Sequence, residues 1–350
     1  MTTLTRRSML AGAAGVGAGL TLRSPSSIAQ TPRLVDVHTH FGPPNWLAAL
    51  AAKKILAPPT TSLAEWPPER MLESMDRAGT RLAMLSLTAP GAWFLDGSDA
   101  RRLARDANEY AARIVAEHPG RFGFWAALPL GDIDASLAEI AYSLDTLKAD
   151  GIELFTSTRV EGKTVWLGDP AFDPIFAELD RRGAVTFVHH TIPSCCFGLM
   201  PQNAEADRML ELFTDNTRAI SQMIFSGASQ RFSRARVIWS GVGTMPSMSG
   251  LYESLAKDPR YAQLLPSGFL FEARKFYYDT AGTFNTTTLR ALHDLVPPGR
   301  IVLGTDLPFR RLEDLIVPLR HTFSQPELSM IGSTNIRNLL PRVAAMATPR

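Results

Sequence analysis

Cysteine is scarce in this 350-residue chain: there are two, Cys195 and Cys196, and they are neighbours. Adjacent cysteines rarely bond to each other because the linkage is strained, so no disulfide framework is expected to staple the fold. An excess of one charge is missing as well, since 36 basic and 34 acidic residues leave a formal charge of +2. Such a chain offers no basic field for nucleic acid or for an anionic membrane. No long apolar run occurs either; the N-terminal stretch "MLAGAAGVGAGL" is short and glycine-rich, whereas a spanning helix needs about 20 apolar residues. A glycine-rich phosphate loop after an early strand is also lacking, which argues against an open dinucleotide-binding sheet and an organic cofactor of that kind. What is left is a globular chain whose expected partner is a small molecule.

The apolar stretch that is present reads as a transport signal. "TRRSMLAGAAGVGAGL" sets Arg6 and Arg7 ahead of the apolar run, and "SIAQ" supplies small residues at Ser27 and Ala29 for cleavage. Residues 1–29 are therefore expected to be a twin-arginine export signal, with the mature chain spanning 30–350 and no membrane anchor after processing. That predicts a periplasmic or secreted protein. Removing residues 1–29, which hold Arg6, Arg7 and Arg23 and no acid, takes the charge from +2 to −1.

Beyond the signal, eight short apolar or β-branched runs alternate with helical patterns. They are "LVDVHTH" (34–40), "RLAMLSL" (81–87), "RFGFWAAL" (121–128), "GIELFTS" (151–157), "AVTFVHH" (184–190), "ARVIWSG" (235–241), "KFYYDTA" (275–281) and "RIVLGTD" (300–306). Between the third and fourth, Ile133, Leu137, Ile140, Ala141, Leu144 and Leu147 recur at helical spacing after Asp132. Eight β-then-α units in about 300 residues predict one (β/α)₈ barrel. The connection from Phe41 to Pro67 is expected to be a long irregular loop over the barrel mouth, since loops of that length are usually functional. Trp46 and Phe41 are its candidate substrate contacts.

The polar residues on these runs suggest a metal. His38 and His40 are two apart in "VDVHTHF", so they share a strand face, with Asp36. Barrel sites lie at the C-terminal ends of the strands. His189 and His190 end the fifth run, and alternation predicts one pointing inward and one away. Asp306 ends the eighth run, which closes the barrel beside the first. His38, His40, His189 and Asp306 form a nitrogen and oxygen set suited to Zn²⁺, with Mn²⁺ as second choice. His118, His293 and His321 are read as structural or solvated.

A resemblance then enters. "DVHTHF", "WPPERMLESMDRAG", "HPGRFGFWAALPL", "LGDPAFDPIFAELDRRGAVTFVHHT", "FYYDTAG" and "RIVLGTDLPF" are similar to the amidohydrolase-related metal-dependent barrels. Within these they resemble the aminocarboxymuconate-semialdehyde and aromatic-acid decarboxylases, and 6-methylsalicylate decarboxylase-like members above all. The resemblance implies that His38, His40, His189 and Asp306 ligate the metal, and that Asp306 also delivers a proton to the substrate carbon. The family usually carries a histidine after the sixth strand, where this chain reads "WSGVGTMP". Ser240 or Gly241 stands at that position, depending on a one-residue gap. A serine hydroxyl cannot replace imidazole as a base near neutral pH, and His190 is the candidate to compensate.

Three readings follow. The first is a non-oxidative decarboxylase of a small aromatic or enol carboxylic acid. The second is a metal-dependent hydrolase of a lactone, ester or amide. The third is a metal-binding barrel whose catalysis is impaired by the missing histidine. The sequence is compatible with a homo-oligomer and does not set the substrate.

Overall fold

The computed structural model of the chain describes residues 34–55, 60–160, 162–191, 196 and 198–346. The expected export signal at 1–29, and Cys195, lie outside them. Cys196 is disulfide-bonded, against the expectation of two separate thiols. Among the described residues no helix is long and apolar enough to cross a membrane.

All eight expected runs form strands: β1 (Leu34–His40), β2 (Thr80–Ser86), β3 (Phe122–Ala126), β4 (Gly151–Phe155), β7 (Val185–His189), β8 (Arg236–Trp239), β9 (Tyr277–Asp279) and β10 (Ile301–Val302). The remaining two strands, β5 (Ser157–Val160) and β6 (Lys163–Trp166), make a separate antiparallel hairpin. The eight form one sheet in the order β1-β2-β3-β4-β7-β8-β9-β10, every adjacent pair parallel. Backbone bonds from Val37 N to the Leu303 carbonyl, from Asp306 N to the His38 carbonyl and from His40 N to the Leu307 carbonyl carry the last strand back to the first. The chain is thus a nearly closed (β/α)₈ barrel.

The inside of the barrel is a packed core. Val35, Val37, Leu82, Met84, Trp125, Val185, Phe187, Ile238 and Val302 form one buried cluster. Ile336, Leu339, Leu340 and Val343 join it, closing the end where the strands begin. Trp125 stacks on Phe187 at 5.8 Å, and its indole N–H donates to the Val37 carbonyl at 2.8 Å. Filling the lower barrel with side chains leaves chemistry to the opposite, C-terminal face.

The helices follow their sequence signals with two exceptions. Helix α1 (Pro44–Ala52) and a 3₁₀ turn (Thr60–Glu65) occupy most of the stretch expected to be irregular. The proline pair Pro43–Pro44 starts α1, because proline fits the first helical turn. Helix α2 (Pro68–Ala78) and helix α3 (Gly97–Glu117) pack outside the early strands. Helix α4 (Ile133–Asp145) is capped by Asp132, which accepts Ala135 N–H at 3.0 Å. Its most buried residues are Ser136, Glu139, Ile140 and Ser143 rather than the full leucine-rich face. Glu139 accounts for the difference by taking hydrogen bonds from Arg105 and Asn108 of α3. Helix α5 (Asp173–Arg182) ends at Gly183 in the left-handed conformation, as its "RRG" predicts. Helix α6 (Ala204–Phe225) runs beside the mouth and carries Phe213, Asp215 and Asn216 toward it.

Candidate metal centre

The ligands expected from the sequence meet at the C-terminal face. One ligand atom each from His38, His40, His189 and Asp306 lies within 4.8 Å of the others. Strand β1 is not a simple alternation, because its register with β2 shifts between Asp36 and Thr39. Asp36 consequently leaves the group expected of it. Its carboxylate accepts Thr305 Oγ1 at 2.6 Å and Thr305 N–H at 3.1 Å, and burial pushes its pKa up to about 7.

Each histidine is held by one nitrogen so that the other faces the centre. His38 donates from Nδ1 to Asp279 Oδ2 at 2.7 Å. His40 Nδ1 donates to the Ser86 carbonyl at 3.3 Å. His189 Nδ1 donates to the His190 carbonyl at 2.7 Å. These acceptors fix the tautomers and leave the Nε2 lone pairs bare. The bare Nε2 atoms of His38 and His40 then stand 3.1 Å apart, with Asp306 Oδ1 at 3.5 Å and 3.2 Å from them. Lone pairs and a carboxylate converging this closely repel one another unless a cation lies between them. This donor set therefore fits a resident divalent ion.

Without an ion, the groups of the cluster shift one another. Burial opposes a charge on His38, but the Asp279 carboxylate, then Asp306 and Asp36, outweigh it and raise the imidazole pKa. Burial lowers His40, and it lowers His189 well below the usual range with help from the neighbouring histidines. Burial pushes Asp306 up, yet its hydrogen bond with His40 and the charges of His38, His40 and His190 bring it below the ordinary value. Asp306 differs from the others in access: its side chain is 25% exposed, against 0% for His38 and His40. Its backbone is left-handed, with φ +68°, so the chain turns sharply to aim the carboxylate inward.

His190 departs from the simple expectation. Strand β7 ends at His189, so strict alternation no longer applies one residue later. The ring centroids of His190 lie 4.4 Å from His189, 6.4 Å from His38 and 6.0 Å from Phe213. Both histidines therefore face the mouth. Ser240 Oγ accepts the His190 backbone N–H at 3.3 Å and lies 2.7 Å from His190 Nδ1. A serine hydroxyl that donates to Nδ1 leaves Nε2–H as a donor. Burial, reinforced by the charge of His38, pushes the His190 pKa down to about 4.

Ser240 rather than Gly241 is the mouth residue on this strand. Gly241 has φ +72°, and a Cβ there would come within 2.7 Å of the Ala281 carbonyl oxygen, so no side chain is accommodated. Asn216 fixes this turn by donating to the Ser240 and Gly241 carbonyls at 3.1 and 2.9 Å.

Two expected substrate contacts lie elsewhere. Trp46 is fully buried and donates from Nε1 to the Gly91 carbonyl at 2.6 Å, so it packs the segment down rather than lining the mouth. Phe41 stacks on Tyr110 at 6.2 Å and lines an apolar cavity of about 310 Å³ against α2 and α3, outside the barrel. A residue not foreseen is Asp279. Besides holding His38, its Oδ1 accepts Gly241 N–H at 2.8 Å and Ala281 N–H at 2.9 Å. "FYYDTA" displayed this aspartate at a strand end, and only the fold shows that it faces β1.

Comparison with known proteins supplies the class. The amidohydrolase family profile matches residues 35–342, so the chain belongs to the amidohydrolase family. Its relatives are decarboxylases. The 6-methylsalicylic acid decarboxylase of Penicillium expansum is 36% identical over 281 residues, covering 78% of this chain and 84% of that protein. Decarboxylase macB of Penicillium terrestre is 35% identical over 293 residues, covering 80% and 86%. Among solved structures, 2,6-dihydroxybenzoate decarboxylase complexed with 2,6-dihydroxybenzoate superposes with a TM-score of 0.74 at 25% identity, over 87% of this chain and 98% of that one.

Proposed function

We propose that this chain is a metal-dependent, non-oxidative decarboxylase of a small aromatic carboxylic acid bearing an oxygen substituent near the carboxylate. The observation that carries the reading is the convergence of two bare imidazole nitrogens on the quarter-exposed Asp306 carboxylate, in a chain whose relatives decarboxylate aromatic acids. His38, His40, His189 and Asp306 would hold the ion, zinc by preference for this ligand set and manganese as the alternative. When bound, the ion supplies a positive centre that orients the substrate carboxylate and its neighbouring oxygen.

The chain's own residues do the rest. Asp306, with access to solvent, takes up a proton and delivers it to the ring carbon that bears the carboxylate. The bond from that carbon to the carboxylate breaks, carbon dioxide leaves with the negative charge cancelled, and the ring regains its aromatic electrons. His190 Nε2–H offers a fixed donor to the substrate or to the departing carboxylate. His190 acts from β7 where the resemblance leads one to expect an imidazole from β8. Residues 1–29 would direct the protein through the twin-arginine route to the periplasm or beyond.

The test is headspace carbon dioxide from 2-hydroxy aromatic acids, with enzyme reconstituted with Zn²⁺ or Mn²⁺. Stoichiometric release that needs the metal supports the reading. Absence of release from every acid, with hydrolysis of a lactone or ester panel, replaces it with the hydrolase reading. Metal binding with neither activity leaves the binding barrel.

A further inference from the structure

Besides Asp36, the described barrel strands carry a second buried acid that the metal cluster does not use. Glu153 on β4 is fully buried. It pairs in register with Phe187, and the next inward pair is Phe155 with His189. Because paired residues of parallel strands share a face, Glu153 points into the barrel one step below the His189 ligand. The Phe187 ring lies 5.0 Å from the His38 ring, and the Phe155 ring 5.9 Å from that of His189. The carboxyl extends upward: Oε2 accepts Leu87 N–H at 3.1 Å. Leu87 directly follows Ser86, the end of β2 and the residue that holds His40. The carboxyl group therefore sits at mouth level, on the β2–β4 wall. In the strand order this wall faces β10 and the Asp306 turn across the barrel.

The group is poorly provided for by the protein. Oε1 has no hydrogen-bond partner among the described residues. No charged side chain among them acts on it, and burial pushes its pKa well above the usual carboxylate range. Burial favours the protonated carboxyl, and with Oε2 accepting from Leu87 the free position for its hydrogen is the unpartnered Oε1. A buried polar atom of this kind weakens a fold, and an apolar side chain of similar length would serve packing better. Its use must come from something that enters the mouth.

We infer that Glu153 is a specificity residue: its Oε1 hydrogen-bonds an oxygen substituent on the ring edge of the bound aromatic acid that faces β2–β4. This rests on the proposed reading of the mouth as a site for such acids. The metal cluster fixes one end of the ligand and Glu153 selects among ring substitution patterns at the other. A site built to bond a substituent discriminates strongly against analogues lacking it, because its own polar group is then left unpaired.

The experiment measures binding rather than turnover. Calorimetric Kd values are taken on metal-loaded wild type, Glu153→Gln, Glu153→Met and Glu153→Leu. The probes are 2-nitrophenol and its singly hydroxylated ring derivatives, in which the nitro group stands in for a carboxylate that cannot leave. The expectation is that wild type binds one hydroxylated derivative about 10-fold more tightly than the parent, that Gln keeps this preference, and that Met and Leu abolish it while still binding the parent. Two apolar replacements of different shape guard against one failing to fold. Equal binding of all probes by wild type, or an unchanged preference in a folded Met or Leu variant, overturns the inference and makes Glu153 a support for Leu87. Carbon dioxide assays run in parallel separate this result from the proposed function, since a binding preference can survive where no acid is decarboxylated.

Discussion

The Ser240 hydroxyl lies 2.7 Å from Nδ1 of His190 and also accepts that residue's backbone N–H. Two contacts from one small side chain hold the ring and its backbone in place. The serine at the place where relatives of this kind are expected to have histidine therefore serves the imidazole from β7. Ser240→Ala should lower kcat by about 5- to 10-fold, the worth of one such bond, and His190→Ala by about 100-fold, with metal content unchanged in both. Ser240→His should not raise activity, because Ser240 is 2% exposed and the change removes the partner of His190. A large gain in kcat by Ser240→His would show that His190 compensates for nothing.

The four ligands should act as a unit. Protein purified without added metal is expected to hold about one zinc or manganese ion per chain, measured by elemental analysis. His38→Ala and Asp306→Ala should each lose it. Chelator should abolish activity in wild type, and restoring the ion should return it. A metal-free wild type that cannot be reconstituted, yet releases carbon dioxide, would contradict the arrangement.

Asp279 should matter nearly as much without touching the ion. Its carboxylate accepts from His38 Nδ1, Gly241 N and Ala281 N. An amide has one acceptor oxygen, so Asp279→Asn sets its NH₂ against one of these donors. Metal affinity should fall by about 10- to 100-fold, read by competition with a chelator of known affinity. Gly304 belongs to the same contact, since a Cβ there would come within 2.8 Å of the Asp279 carboxyl carbon. Gly304→Ala should weaken metal binding in the same direction.

These residues mark how far the sequence could be read. The eight barrel strands were legible because buried parallel strands appear as short apolar runs between helical spacings. The meeting of His38, His40, His189 and Asp306 was legible because a strand end is where a barrel exposes its chemistry. Asp279 was not, since its partner His38 is 241 positions away and nothing local distinguishes it from a helix-capping aspartate. Asp36 misled because a register irregularity breaks alternation in β1. Trp46 and Phe41 misled because the segment after β1 folds into α1 and turns its aromatics to the helix layer. The β5–β6 hairpin was hidden inside a run that seemed to end at Ser157; its two strands are four residues each and only partly buried.

That hairpin gives the last prediction, through Asp215 of α6. Its carboxylate accepts from Thr156 Oγ1, from Ser157 Oγ at 3.1 Å and from Trp166 Nε1, tying both hairpin strands to the helix. Burial raises its pKa to about 6 from the ordinary 3.8, and the three hydrogen bonds hold the rise to that level. The folded chain therefore binds this proton more tightly than the unfolded chain does. The resulting stabilisation is complete below about pH 4 and is lost as the pH rises through about 6. Asp215→Asn cannot titrate, so the stability difference between wild type and variant should move against wild type by roughly 2 kcal/mol between pH 4 and pH 7. Denaturant unfolding of both proteins across that range reads the change directly. A difference that stays flat, or that moves in favour of wild type as the pH rises, would mean that Asp215 is ionised in the folded chain and that the hairpin is held by a full charge.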